Sequence, residues 1–210
     1  MTVITRPHRF GKTLFLKTVE HFFSCGKSDQ AALFDGLKVW RDDAMRPLAG
    51  TKPVNFLSFS DLKPVNATEA RLTFKDKLKT LLSRYTYLYT SPRAAADVRR
   101  TLETFNLQSG DAVTVTILRT LCLALTAHHG VKPMLLLDEY DALLEETERQ
   151  GFWDAIADLI VAWFKTTFQT NDGLDRALCV GIMSVHKRLM PTSVVVTADV
   201  TTPRYEITER

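Results

Sequence analysis

Cysteine is scarce in this chain and forms no pattern. Cys25, Cys122 and Cys179 lie far apart, in no spacing that suits a metal, and their odd number gives no disulfide framework. Cys122 and Cys179 sit in apolar stretches and read as core thiols, which fits a reducing compartment. Net charge is small too: 27 Lys and Arg against 24 Asp and Glu leave +3 over 210 residues, too little alone to imply a polyanion partner. Long uncharged apolar runs are missing, because the richest candidates are interrupted by Arg119 and by Asp154 and Asp158. No membrane span is therefore expected. Arg6, His8, Arg9 and Lys12 have no apolar segment beside them, so no secretory signal is expected either. Repeats and low-complexity segments are also lacking. The expectation is an intracellular, cytoplasmic protein, the nucleus not excluded. With 45% hydrophobic and 24% charged residues, the chain has the composition of a folded domain rather than a disordered one.

The elements alternate. Thr2–Thr5 is a short β-branched run. From Lys12 the period changes, and Leu14, Phe15, Thr18, Val19, Phe22 and Phe23 trace one helical face with Lys17 and Glu20 opposite. Ser24-Cys25-Gly26 is the expected stop. Val54–Phe59 reads as a second strand, and Phe74 to Tyr89 as one long helix stopped by Ser91-Pro92. Asp111–His129 fits both periods over its first residues, but Ile117, Leu118, Leu121 and Leu125 extend the helical one, which we favour. Pro133–Leu137 is continuously apolar, as a strand covered on both faces should be. Phe152 to Phe168 carries the next helical stripe, and Ala177–Met183 and Val194–Val196 are further strand candidates. Strands alternating with helices imply parallel βαβ units in an α/β, three-layer α/β/α sandwich with a mostly parallel sheet.

Two segments carry chemistry. The first, Arg6-Pro7-His8-Arg9-Phe10-Gly11-Lys12-Thr13, is a loop between a strand and a helix that ends in Gly-Lys-Thr. Such a loop (a Walker A motif) aims backbone N–H groups and the helix N-terminus at phosphates. Lys12 can reach the terminal phosphates, and the Thr13 hydroxyl can ligate Mg²⁺. The general pattern has glycine where Arg6 stands, and Pro7 removes one N–H donor. The bland reading is a helix that happens to begin with a solvated lysine. The second segment is Leu135-Leu136-Leu137-Asp138-Glu139 (a Walker B motif), an apolar strand delivering two carboxylates at its C-terminal end, where ligands of open α/β sheets bind. Asp138 suits Mg²⁺, and Glu139 suits the polarising of an attacking water. Its bland reading is an acidic loop after a core strand. The two segments occur in the required order, which makes the pair stronger than either part. The Asp-Glu form, with no guanine-reading motif, favours ATP. Tyr140 reads as packing, and Asp141 as a cap or a neighbour of the metal. Ser184, at a strand end, could sense the γ-phosphate, although a hydrogen-bonded serine is the plainer reading. No histidine pair has metal-ligand spacing.

These segments resemble the AAA-ATPase-like family of P-loop proteins, often joined to a C-terminal nuclease-like domain. Arg6–Leu14 is similar to the family's R-P-R-R-F-G-K-[ST]-L, Leu33–Leu37 to another of its segments, and Pro53–Ser60 to its P-V-x-x-L-x-F-S strand. Leu136–Asp141 resembles L-x-D-E-Y-D, and Gly181 with Lys187 falls where G-[VIL]-x-R-[IV]-x-K would lie. The resemblance makes Arg6 a family habit. It implies a P-loop NTPase fold over residues 1–210, with ATP and Mg²⁺ as cofactors. Arg6, Pro7, His8, Arg9, Phe10, Gly11, Lys12, Thr13 and Ser184 would bind the nucleotide, Thr13 and Asp138 the metal, and Glu139 and Lys12 would serve catalysis. Ser184 departs from the family's arginine, and Pro191-Thr192-Ser193 from its Asn-Asn. A lid and a nuclease-like domain are expected to be absent, as in a chain shortened at both ends.

Two functions follow, an ATP-hydrolysing domain and a catalytically weak, nucleotide-responsive module that binds a protein partner or itself. Nucleic-acid binding rests only on mild basicity and scattered aromatics. Arg176, Arg188 and Arg204 are equal candidates for an arginine finger.

Overall fold

The computed structural model describes residues 1–7, 9–182, 189 and 196–199. Five strands form one sheet: β1 (Thr2–Thr5), β2 (Val54–Ser58), β3 (Met134–Asp138), β4 (Arg176–Gly181) and β5 (Val196–Asp199). Their order is β2-β3-β4-β1-β5, and every pairing is parallel. Among the described residues, eight α-helices lie between them: α1 (Lys12–Phe23), α2 (Gln30–Phe34), α3 (Lys38–Arg41), α4 (Ala67–Leu82), α5 (Ala96–Thr104), α6 (Asp111–His129), α7 (Ala142–Arg149) and α8 (Ala157–Phe168).

Alternation along β3 assigns its side chains to two cores. Leu135 and Leu137 face the larger, with Phe74, Leu78, Leu118, Leu121, Trp163 and Phe164 from α4, α6 and α8. Met134 and Leu136 face the smaller, with Leu16 and Val19 of α1 and Val54 and Phe56 of β2. A strand buried on both faces needs apolar residues at every position, which explains the unbroken run at 134–137. The expected three-layer α/β/α sandwich is the observed one.

Three expectations on elements are corrected. The buried side of α1 is Lys12, Leu16 and Phe22, flanked by Val19 and Phe23, whereas Leu14 and Phe15 are 72% and 43% exposed. Several apolar residues on one short helix allow more than one stripe, and the sheet chose the one through Leu16. The long helix to Tyr89 breaks at Leu82 into a 3₁₀ stretch, Ser83–Thr90, with Tyr85 off helical geometry at φ −122°. There the Tyr85 hydroxyl donates to the Val54 carbonyl (3.0 Å) on edge strand β2, exchanging helical continuity for cover of an exposed sheet edge. Finally, α6 does meet the length and hydropathy criterion for a membrane span. Its apolar residues Ile117, Leu118, Leu121, Cys122 and Leu125 are buried in this fold, while Val113 and Leu123 are exposed.

Candidate functional site

Strand order positions the site. β4 separates β1 from β3, and the registers Ile4↔Val180 and Val180↔Asp138 put Asp138 two strands away from Ile4. Two strand spacings are about 10 Å, and the loop after β1 covers that distance. Arg6 extends the ladder through its N–H to the Gly181 carbonyl (3.1 Å). Arg9 (φ 65°) and Gly11 (φ 72°) then take left-handed backbone and turn the chain into α1. Gly11 occupies the N-cap, offers no capping side chain, and is followed by no acidic residue in the first turn. The first N–H groups of a 12-residue helix are thus left open and positive, the arrangement that binds phosphate.

Across β4, the Thr13 hydroxyl donates to Asp138 Oδ2 at 2.7 Å. Asp138 is buried, and its other oxygen, Oδ1, has no hydrogen-bond partner among the described residues. A desolvated carboxylate oxygen without a partner is costly in a finished protein interior. Paired with a hydroxyl, it suits a hydrated hard cation, so these two residues fit Mg²⁺. The Lys12 ammonium, also buried, donates to the carbonyls of Arg6 and Pro7, each at 3.0 Å. An ammonium has three protons, so these bonds hold Lys12 under its own loop with one proton over. Pro7, read from sequence as a lost donor, serves here as an acceptor.

Arg9, Gly11, Lys12, Thr13, Leu14 and Glu139 line one cleft of about 320 Å³. Glu139 has left-handed backbone, φ 50°, an uncommon conformation for a residue with a side chain. Four expected site residues therefore converge on the cleft with Glu139: Arg9, Gly11, Lys12 and Thr13. Arg6 and Pro7 support it through their carbonyls without lining it, and Phe10 is largely exposed. His8, Ser184, Lys187, Arg188 and Arg204 lie outside the described residues. Arg176 begins β4, at the strand end remote from the cleft.

The sequence reading missed how the Asp138–Glu139 loop is held. Tyr140 is buried and its N–H reaches the Val180 carbonyl (3.3 Å). Asp141, also buried, stands at the N-cap of α7 but makes no capping bond there. Its Oδ2 accepts from the Ile182 N–H at 2.7 Å. Gly181 permits this approach, since a Cβ there would lie 2.6 Å from both Asp141 Oδ1 and Tyr140 Cε1. The signal available in sequence was an aspartate three residues after Asp138 and a glycine at a strand end, neither of which names its partner.

A larger cleft, about 590 Å³, lies beside Pro53 and Val54 at the other end of the sheet, lined also by Cys25, Lys27, Tyr85, Tyr87 and His129. Size alone would favour it, but its cations are engaged: Arg84 with Glu20 (3.8 Å) and Lys27 with His21 (2.9 Å). Burial, together with nearby His128 and Arg93, pushes His129 below the usual histidine range. Burial pushes the Cys122 thiol up to about 12, in keeping with a core thiol. Among the described residues no cluster of His, Cys, Asp and Glu has the form of a metal centre. We place the chemistry at the smaller cleft, where strand ends, helix N-terminus and carboxylates meet.

An all-parallel α/β sheet with an open helix N-terminus after β1 and paired carboxylates at the end of β3 defines a P-loop nucleotide-binding domain. The family described as predicted AAA-ATPase (AAA-ATPase-like) matches residues 1–190. The chain belongs to this family, which is nucleotide-binding. No curated protein and no solved structure matches it.

Proposed function

We propose that the chain binds ATP with Mg²⁺ in the Arg9–Leu14 cleft and hydrolyses it. The observation that carries this reading is the 2.7 Å bond between Thr13 and Asp138. It joins the end of the phosphate loop to the end of β3 across 125 residues of sequence, beside Lys12 and Glu139. The first-turn N–H groups of α1 would hold the phosphates, and Lys12 would exchange its carbonyl partners for phosphate oxygens. Thr13 and Asp138 would hold Mg²⁺. Bound there, the metal supplies stabilisation of the charge that builds on the transferring phosphoryl group. Glu139, at the cleft wall, would orient a water and accept its proton at a carboxylate oxygen.

The test compares ATP affinity and phosphate release for wild type, Lys12→Ala and Glu139→Gln. Lys12→Ala is expected to lose binding. Glu139→Gln is expected to keep binding and lose turnover by about a hundredfold or more, the scale of a general base. Identical behaviour of all three proteins would overturn the proposal.

One observation favours a second reading, a nucleotide-responsive interaction module. Phe10, Leu14 and Phe15 are exposed beside the cleft, an apolar surface whose cover a bound nucleotide would alter. ATP binding without phosphate release in wild type would select it.

A further inference from the structure

We propose that Asp141 is a positioning residue that, with Gly181, latches the Asp138–Glu139 loop to the end of β4 and so fixes where Glu139 stands. This rests on the reading of Glu139 as the residue that polarises water. After β3 the chain turns at Glu139 in a conformation that side-chain-bearing residues disfavour, φ 50°, at a cost on the order of 1 kcal/mol or more. Such a residue persists only where its surroundings over-determine it.

Three bonds do so. The Ala142 N–H returns to the Glu139 carbonyl (3.0 Å) and closes the turn, and the Tyr140 N–H reaches the Val180 carbonyl (3.3 Å). The third is the Ile182 N–H to Asp141 Oδ2 at 2.7 Å, a charge-assisted bond and the shortest of the set. Asp141 is buried, makes no capping bond to its own helix, and accepts from the residue that follows β4. Gly181 is the complementary half, because any Cβ there would collide with Asp141 and Tyr140. The Asp141 half of the latch bears on Glu139, since Asp141 sits outside the cleft lining, whereas the Gly181 carbonyl also accepts from the Arg6 N–H at the start of the phosphate loop (3.1 Å). Asp138 is anchored separately by strand pairing and by Thr13. Loss of the Asp141 carboxylate therefore leaves nucleotide affinity in place and misplaces the water-polarising carboxylate.

The experiment compares wild type with Asp141→Ala, Gly181→Ala and the conservative Asp141→Asn, which keeps an acceptor oxygen. Three quantities are read: affinity for a fluorescent ATP analogue with Mg²⁺, phosphate release, and hydrogen exchange at the Ile182 amide. For Asp141→Ala we expect affinity within about threefold of wild type and phosphate release lowered at least about tenfold, the scale of a catalytic group displaced by an ångström or less. For Gly181→Ala, whose carbonyl also holds Arg6, phosphate release should fall as far and affinity is not part of the test. Ile182 exchange should accelerate in both. Asp141→Asn should recover part of the turnover and of the protection, and it carries the test alone if Asp141→Ala does not fold. Turnover within about twofold of wild type, or affinity falling in step with turnover in Asp141→Ala, would overturn the latch. If wild type itself releases no phosphate, the hydrolysis reading fails. The latch then stands or falls on whether Ile182 exchange accelerates in Asp141→Ala.

Discussion

At the residue scale the site is a set of bonds that each ask for one atom. Thr13 offers a hydroxyl to Asp138, and serine can offer the same. Thr13→Ser is therefore expected to keep magnesium-dependent nucleotide binding. Thr13→Val keeps the shape, removes the donor and leaves both oxygens of a buried carboxylate unpartnered. It should lose the magnesium dependence and cost about 1–3 kcal/mol in chemical denaturation, the usual penalty for an orphaned buried acceptor. Affinity titrations with and without Mg²⁺, run beside urea unfolding, check both halves. Equal magnesium dependence in the two variants would remove Thr13 from the site. Residue identity alone marked the candidate residues: Gly11-Lys12-Thr13 and Asp138-Glu139 were legible as a loop before a helix and two carboxylates at a strand end, and the fold brings Gly11, Lys12, Thr13 and Glu139 to one cleft. Asp141 was not legible, because its partner is a backbone N–H 41 residues away and backbone donors carry no sequence signature.

The helices and strands show where periodicity is enough and where it fails. β3 was readable because burial on both faces leaves only apolar choices, and α6 because its helical period outran its strand-like start. α1 was readable as a helix but not as an oriented one. Leu14 and Phe15 compete with Leu16 for the buried side, and only contact with Leu136 and Val180 across the smaller core decides it. Leu16→Ala should therefore cost about 2–5 kcal/mol, as for a fully buried leucine. Leu14→Ser should fall within about 0.5 kcal/mol of wild type, as for an exposed position. Thermal or urea unfolding of both variants tests the orientation, and the reverse ranking would refute it. α7 escaped notice because it is eight residues long, too short for a period to stand out. The break at Tyr85 escaped because its cause is a hydrogen bond to an edge strand 31 residues earlier.

On the scale of the whole molecule, the cleft joins parts far apart in sequence: the loop after β1, the end of β3 and, through Asp141, the end of β4. A ligand that binds this assembly and not the unfolded chain must stabilise all of it. Mg²⁺ with ATP at about a hundred times its dissociation constant should add about 2.7 kcal/mol to the unfolding free energy. Lys12→Ala should show no such gain, which differential scanning fluorimetry can read. A gain of the same size in Lys12→Ala would place the ligand elsewhere. The amino-acid sequence determined the class of fold and the family and marked the candidate site, because hydrophobic period and short motifs are local and leave local marks. Strand order was left to the tertiary structure. With it came the bridging of β4 by Thr13 and Asp138, the side of α1 that is buried, and the latch that holds Glu139. Each of these depends on groups far apart in sequence meeting across a sheet whose parallel order no single segment encodes.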